Sequence, residues 1–183
     1  MKKLAFFTIG LLLLGLGASA QISRGGKPFS FSYPLHDNLD AGKLVMPLID
    51  VAALQSRARQ VFEKGEMLPA GQIFPVSLSP ENSGVWTVLA NKDRVWRLAV
   101  QVPDAPATSL YYENFYIPEG AVLYVYNAEK THLIGSFGAH NNSESKLFAT
   151  EIIYTSDCVI EYYEPANVKQ KGSFTITGIA NVY

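Results

Sequence analysis

Hydrophobic and polar residues alternate with a period of two from Gln72 to the end of the chain, as is typical of half-buried β-strands. Turn-forming segments such as "PENSG" and "ANKD" divide this region into nine short β-prone runs. In order, the runs are "IFPVSL", "GVWTVL", "DRVWRLAVQV", "SLYYENFYI", "AVLYVYN", "THLIGSF", "KLFATEIIYT", "DCVIEYY" and "SFTITGIANV". No helical pattern separates them, which excludes a parallel α/β fold. Residues 72–183 are therefore predicted to form an all-β domain, an antiparallel β-sandwich with a jelly-roll-like arrangement.

The first twenty residues have the pattern of a Sec signal peptide. Lys2 and Lys3 precede the apolar run "LAFFTIGLLLLGLG", and the small-residue motif "ASA" follows it. Cleavage is predicted between Ala20 and Gln21, which makes the mature protein secreted, periplasmic or attached to the cell surface. An uncleaved membrane anchor is the alternative, but the apolar run is short for one.

Two further segments separate the signal peptide from the sandwich. Residues 21–47 are rich in Gly, Pro and polar residues and predict an extended N-terminal arm, in which Phe29, Phe31 and Tyr33 alternate as in an added edge strand. Residues 48–71 predict one short helix and a linker, with Asp50 as N-cap and Gly65 as C-cap. The helix has an apolar stripe that should pack on the sandwich. The stripe comprises Val51, Leu54, Ala58, Val61 and Phe62.

Charge and cysteine content exclude several classes of function. The chain has 15 basic and 16 acidic residues, and loss of Lys2 and Lys3 makes the mature chain more acidic. With no basic run, neither nucleic acid nor, after signal cleavage, a membrane surface is an expected partner. A single cysteine, Cys158, allows no internal disulfide. Its position in an alternating strand predicts a buried small hydrophobe rather than a nucleophile.

The two tryptophans lie in neighbouring alternating runs. Trp96 shares one face of its strand with Leu98 and Val100, so it is predicted to point into the core. The alternation around Trp86 is too weak to assign a face. If "ANKD" closes a hairpin, Trp86 and Trp96 become near cross-strand neighbours, a pairing that stabilises a sheet without any ligand.

Candidate catalytic groups are scattered and lack motifs. His36, His132 and His140 lie in separate segments, with no metal-binding or nucleophile-elbow pattern around any of them. Glu161 and Glu164 are a carboxylate pair, but residues three apart on a strand point to opposite faces, so exposed charges are the expectation. The sequence thus predicts no enzyme activity, cofactor or metal site.

Five segments of the chain form an ordered set of landmarks. The most specific are the paired-Trp hairpin with "DRVWRL" and the run "FYIPEGAVLYVYN"; "ISRGGKPFSF", "MPLIDVAAL" and "EIIYTSDCVIEYYEPANV" add to them. In this order they resemble the N-terminal non-catalytic region of secreted trypsin-like endopeptidase precursors of the lysyl endopeptidase type from the Bacteroidetes. The resemblance implies a pro-region or accessory β-sandwich followed by a chymotrypsin-like protease. The Ser-His-Asp machinery of that protease is absent from this sequence, so no catalytic residue carries over.

Two functions follow from this reading. The first is to assist the folding, or restrain the activity, of a trypsin-like serine protease in cis or in trans. The second is to bind carbohydrate or a cell surface through exposed aromatic side chains. The candidate aromatic residues, for binding or for packing, are Trp86, Trp96, Tyr111, Tyr112, Tyr116, Tyr124 and Tyr126. If these aromatic rings form an exposed coplanar cluster, carbohydrate binding is favoured. If they are buried, the function toward a serine protease is the one that remains.

Overall fold

A computed structural model of the chain describes residues 23–35, 38–63 and 70–183. The described part contains two α-helices, α1 (Phe29–Ser32) and α2 (Val51–Glu63), and 3₁₀ turns at Leu39–Gly42 and Ala139–Asn141. Its strands are β1 (Leu44–Val45), β2 (Gly71–Leu78), β3 (Val85–Val88), β4 (Arg94–Gln101), β5 (Ala107–Tyr116), β6 (Val122–Asn127), β7 (Leu133–Phe137), β8 (Phe148–Ala149), β9 (Asp157–Glu164) and β10 (Ser173–Val182). Each of the nine predicted runs contains one strand, β2 to β10.

The strands form two sheets that pack face to face, and the all-β sandwich class is confirmed. The six-stranded sheet has the order β1-β4-β9-β6-β7, with β3 also paired to β4. The four-stranded sheet has the order β2-β10-β5-β8. All pairings are antiparallel except β1 with β4, which is parallel and places Leu44 opposite Val100.

The main core lies between the sheets, where the inward residues of both meet. From β4 these are Trp96, Leu98 and Val100, and they pack with Leu110, Phe174 and other buried side chains from the opposite sheet. The other face of β4 is the more polar one in sequence. Val95, Arg97 and Ala99 are nonetheless buried as well, because the six-stranded sheet is covered on its outer side too.

The N-terminal arm provides this cover. A second apolar cluster on the outer side contains Ala99, Tyr124, Tyr126 and Val159, and Phe31 and Leu39 of the arm pack against it. The Phe31 ring meets the Tyr126 ring edge to face, with ring centroids 4.8 Å apart. Residues 29–32 form the helical turn α1 and not the edge strand that the alternation of aromatics predicted. The strand added by the arm is β1, further along the chain, and Lys43 just before it pairs with Asp157 at 2.6 Å.

Helix α2 begins where the sequence predicts, because Asp50 Oδ1 accepts the backbone N–H of Ala53 at 2.9 Å. Its predicted C-cap, Gly65, lies outside the described residues. The apolar stripe was expected to pack on the sandwich, but the Phe62 side chain is 64% exposed. None of the described α2 side chains belongs to either apolar cluster. Leu54 and Val61 are half-buried and Phe62 is exposed, so the described part of the stripe is not packed into the core of the sandwich.

The described helices include none that combines the length and apolar character needed to cross a membrane.

Candidate functional site

The two tryptophans are used for packing. They are directly opposite each other across the β3–β4 hairpin, which "ANKD" closes as predicted, with Leu89 N–H bonded to Asp93 O. Trp96 is fully buried, and its indole N–H donates to Ser83 O at 2.7 Å. Trp86 is half-buried, donates to Pro80 O at 2.9 Å, and lies under the guanidinium of Arg94, 4.1 Å from the ring centroid.

The candidate tyrosines do not form an exposed platform. Tyr112, Tyr124 and Tyr126 are buried, Tyr116 is half-buried and Tyr111 is 38% exposed. Tyr112 packs among Phe115, Phe148 and Phe174. Burial, reinforced by the nearby Cys158, raises the pKa of its hydroxyl well above the ordinary value.

The two carboxylates were expected to be exposed, and this was wrong because both are buried. Glu161 points to the outer side of the six-stranded sheet, under the arm. Its Oε1 accepts the backbone N–H of Ser30 at 3.1 Å, and its Oε2 accepts the Tyr126 hydroxyl at 2.9 Å. Arg97 is its register partner on β4. Burial, together with the charge of Glu161, raises the pKa of Tyr126.

Glu164 belongs to a different cluster at the end of β9. Its Oε1 accepts from Nε and Nη2 of Arg94 at 2.8 and 2.5 Å. Its Oε2 accepts the Tyr162 hydroxyl and the backbone N–H of Gly172, both at 2.8 Å. Glu161 and Glu164 thus have separate sets of partners, and each acts as a structural acceptor and not as half of an acid–base pair.

The histidines and the cysteine of the described residues lie apart from one another. No group of three or more His, Cys, Asp or Glu side chains in that part of the chain could hold a metal ion. His132 stacks on Tyr154, and its Nδ1 accepts that residue's backbone N–H at 3.3 Å. His140 lies at the surface, and His36 is outside the described residues. Cys158 is buried as predicted, and burial raises the pKa of its thiol to about 12.

A groove with a mostly apolar lining lies on the outer face of the four-stranded sheet. Ala180 and Val182 of β10 line it, and Ile73 of β2 and Tyr111 of β5 form its walls on either side of β10. The same two side chains close over Gly178, where a Cβ would lie 3.0 Å from Ile73 Cγ2 and 3.3 Å from Tyr111 Cδ2. Ile73 is 49% exposed and Ile152, which also lines the groove, is 42% exposed. The volume is about 310 Å³.

No known family profile matches this chain. Among solved structures it is similar, over 62% of its length, to an isomalto-dextranase from Arthrobacter globiformis T6 complexed with panose. The identity is 16%, the TM-score is 0.27, and the match covers 24% of that protein, so the chain spans about a quarter of it. A likeness this weak carries no argument about function.

Neither the groove nor the two carboxylate clusters was predicted from the sequence. A signal for the groove was present in β2, where Ile73 is an apolar residue out of phase with the inward Phe74 and Val76. No signal was present for the cover over Glu161, because Ser30 is 131 residues away along the chain. The predicted signal cleavage site at Ala20 and Gln21 lies outside the described residues.

Proposed function

We propose that this protein is a secreted, non-catalytic β-sandwich that binds a trypsin-like serine endopeptidase and assists its folding or restrains its activity. The chain resembles the N-terminal region of lysyl endopeptidase-like precursors. The observation that carries the proposal is the uncovered apolar groove walled by Ile73 and Tyr111. Exposed apolar side chains that lie next to one another can seat a partner protein.

The two outer faces of the sandwich differ in how far they are covered, and this difference supports the proposal. The arm covers the outer face of the six-stranded sheet, with Phe31 and Leu39 in contact with it. In the described part of the chain, Ile73, Tyr111 and Ile152 on the other sheet stay exposed. A protease domain is large enough to cover such a face. Burial of these apolar side chains against it would stabilise the complex.

The end of β10 lies at the rim of this groove. Val182 lines it, and the next residue, Tyr183, donates its backbone N–H to Ala70 O at the rim, at 3.2 Å. In precursors of the resembled type, the protease follows the N-terminal region. A polypeptide that continues from β10 therefore emerges beside the proposed contact surface.

Carbohydrate binding is the weaker alternative. It needs several exposed rings that present their faces to a sugar, and three of the five candidate tyrosines are buried. The indole N–H groups of both tryptophans are already used in hydrogen bonds to backbone carbonyls.

The test is a titration of residues 21–183 against a trypsin-like endopeptidase of the resembled type, produced without its own N-terminal region. Peptide hydrolysis, recovery of activity on refolding, and tryptophan fluorescence are followed together. We expect saturable inhibition or improved refolding. Ile73→Asp should weaken this effect by about 30-fold, as loss of an interface hot spot does.

The matched control is Val88→Asp, which puts the same charge on a residue of the other sheet that is 71% exposed. It should leave the titration unchanged. A titration in which the unmodified protein alters neither hydrolysis nor refolding overturns the proposal. Quenching of the tryptophans by a polysaccharide in that case supports the alternative.

A further inference from the structure

The loop between β9 and β10, residues 165–172, is fixed at both ends and open in the middle. At its start, the backbone N–H of Ala166 donates to Asp93 Oδ1 at 2.8 Å. At its end, the N–H of Gly172 donates to the buried Glu164, which Arg94 and Tyr162 also hold. Two carboxylates in the body of the sandwich thus set the positions of the two ends.

Between these anchors, residues 167–171 offer an unpaired backbone. Their N–H and C=O groups take part in none of the hydrogen bonds of the described residues. Four of the five residues are exposed and only Val168 is half-buried. A surface segment with free backbone groups can pair with a strand of another protein, as substrate-like segments do.

The loop carries two exposed lysines, Lys169 and Lys171. Lys169 and Gln170 lie in a bend of the loop, but their φ values are outside the left-handed region. Several other lysines of the described part have a left-handed backbone, which a substrate-like segment in a protease cleft does not adopt. Lys92, Lys130 and Lys146 have φ values of 69°, 60° and 55°, in the left-handed region.

The remaining basic residues on the described surface are also engaged. The backbone of Lys27 hydrogen bonds to the Tyr124 hydroxyl, and Lys43 is paired with Asp157. Arg59 lies within helix α2, and Arg24 precedes Gly25, whose backbone is bonded to β7. Lys169 and Lys171 are therefore the exposed lysines of the described part whose backbone is unpaired. Arg24 is also exposed, but it is held between Ser23 and Gly25, which both bond to Gly135.

Of the two, Lys169 is better placed. It is three residues from each anchor, Ala166 and Gly172, so a cleft can reach it from both sides. Lys171 directly precedes Gly172, which is packed so closely that an added Cβ would lie 2.0 Å from the Tyr162 hydroxyl.

The geometry points to this loop as the segment that enters the substrate cleft of the trypsin-like protease, with Lys169 in the specificity pocket. This inference rests on the proposed function. A carboxylate at the base of such a pocket selects a basic side chain. Because both ends of the loop are fixed in advance, binding costs little conformational entropy.

Turnover at this position is hydrolysis of the Lys169–Gln170 peptide bond. One water is consumed, a carboxyl group forms on Lys169 and an amino group forms on Gln170. Both new ends stay attached to the sandwich through Ala166 and Gly172. A cut loop therefore remains in place and leaves the cleft slowly.

The test compares Lys169→Ala with the matched variant Lys171→Ala in residues 21–183. We measure the inhibition constant against a trypsin-like endopeptidase and locate any cut by mass spectrometry. Lys169→Ala should raise the inhibition constant about 30-fold, and Lys169→Arg should restore most of the inhibition. Lys171→Ala should change it by less than about threefold, because rim charges contribute little.

Equal inhibition by the unmodified protein and Lys169→Ala overturns this inference while leaving the proposed function intact. Loss of inhibition in Lys171→Ala alone, or a cut elsewhere, also overturns it. If the unmodified protein does not inhibit or refold the protease at all, the proposed function itself fails. Both lysines are exposed, so unchanged circular dichroism and tryptophan emission are expected for all variants.

Discussion

The backbone N–H of Ser30 donates to the buried carboxylate of Glu161, 3.1 Å away, and so attaches the N-terminal arm to the middle of the six-stranded sheet. The same carboxylate accepts the Tyr126 hydroxyl, and the Ser30 side chain lies 2.9 Å from that hydroxyl. These three residues form a closed polar network beneath the arm, beside the buried Arg97 of β4. Buried networks of this kind are costly to break because each remaining group loses its partner.

Replacement of Glu161 by Ala should therefore lower the free energy of unfolding by about 2–4 kcal/mol, since it leaves Ser30 N–H and the Tyr126 hydroxyl without this acceptor. Urea denaturation followed by tryptophan fluorescence measures the change. The control is Glu151→Ala, at an exposed position, which should cost less than about 0.5 kcal/mol. Equal effects of the two substitutions would show that the network does not stabilise the fold.

The tryptophans should differ in their effect on stability. Trp96→Ala removes a fully buried indole and should cost about 3–5 kcal/mol. Trp86→Ala removes a half-buried ring and its contact with Arg94, and a smaller cost of about 1–2 kcal/mol is expected. Thermal or urea unfolding gives both values. The reverse order would mean that Trp86 and not Trp96 anchors the hairpin.

The thiol of Cys158 should be unreactive in the folded protein. It is buried and its pKa is raised to about 12, so the thiolate that reacts with disulfide reagents is scarce at mildly alkaline pH. A chromogenic disulfide reagent should give no signal until a denaturant is added, and then one thiol per chain. Because the chain has 1 cysteine, rapid reaction without denaturant would show that β9 opens readily.

The pair of Asp93 and Tyr163 should make stability depend on pH at both extremes. The hydrogen bond from Tyr163 lowers the pKa of Asp93 below 3.8, so its contribution is present above that pH and is lost as pH falls further. Burial and the same hydrogen bond raise the pKa of Tyr163 from 10.0 to about 12, so its contribution is lost as pH rises through this interval.

Unfolding of the unmodified protein and of Tyr163→Phe should be compared across the pH range. The free energy of unfolding of the unmodified protein should exceed that of Tyr163→Phe by a constant amount near neutral pH. The difference should shrink at acidic and at alkaline pH. The control, Asp104→Asn, removes an exposed carboxylate. It should leave the loss of stability at acidic and at alkaline pH unchanged. A difference between the unmodified protein and Tyr163→Phe that is constant at every pH would contradict this assignment.

The local pattern predicted much of the fold. The nine β-prone runs, the hairpin that aligns Trp86 with Trp96, the burial of Trp96 and Cys158, and the N-cap Asp50 all follow from alternation and turn chemistry that operate over a few residues. The candidate site was predicted less well, because buried Tyr112 and Tyr126 have the same alternation in the sequence as exposed tyrosines would have.

The sequence by itself determined strands β2 to β10, since a period of two depends only on near neighbours. Tertiary structure decided what covers each face. The arm covers one sheet and buries Glu161, and the bonds of Arg94 and Gly172 to Glu164 fix the end of β9. The groove beside Ile73 is left open. These outcomes depend on contacts between segments up to 131 residues apart, and a periodic pattern contains no information about such partners.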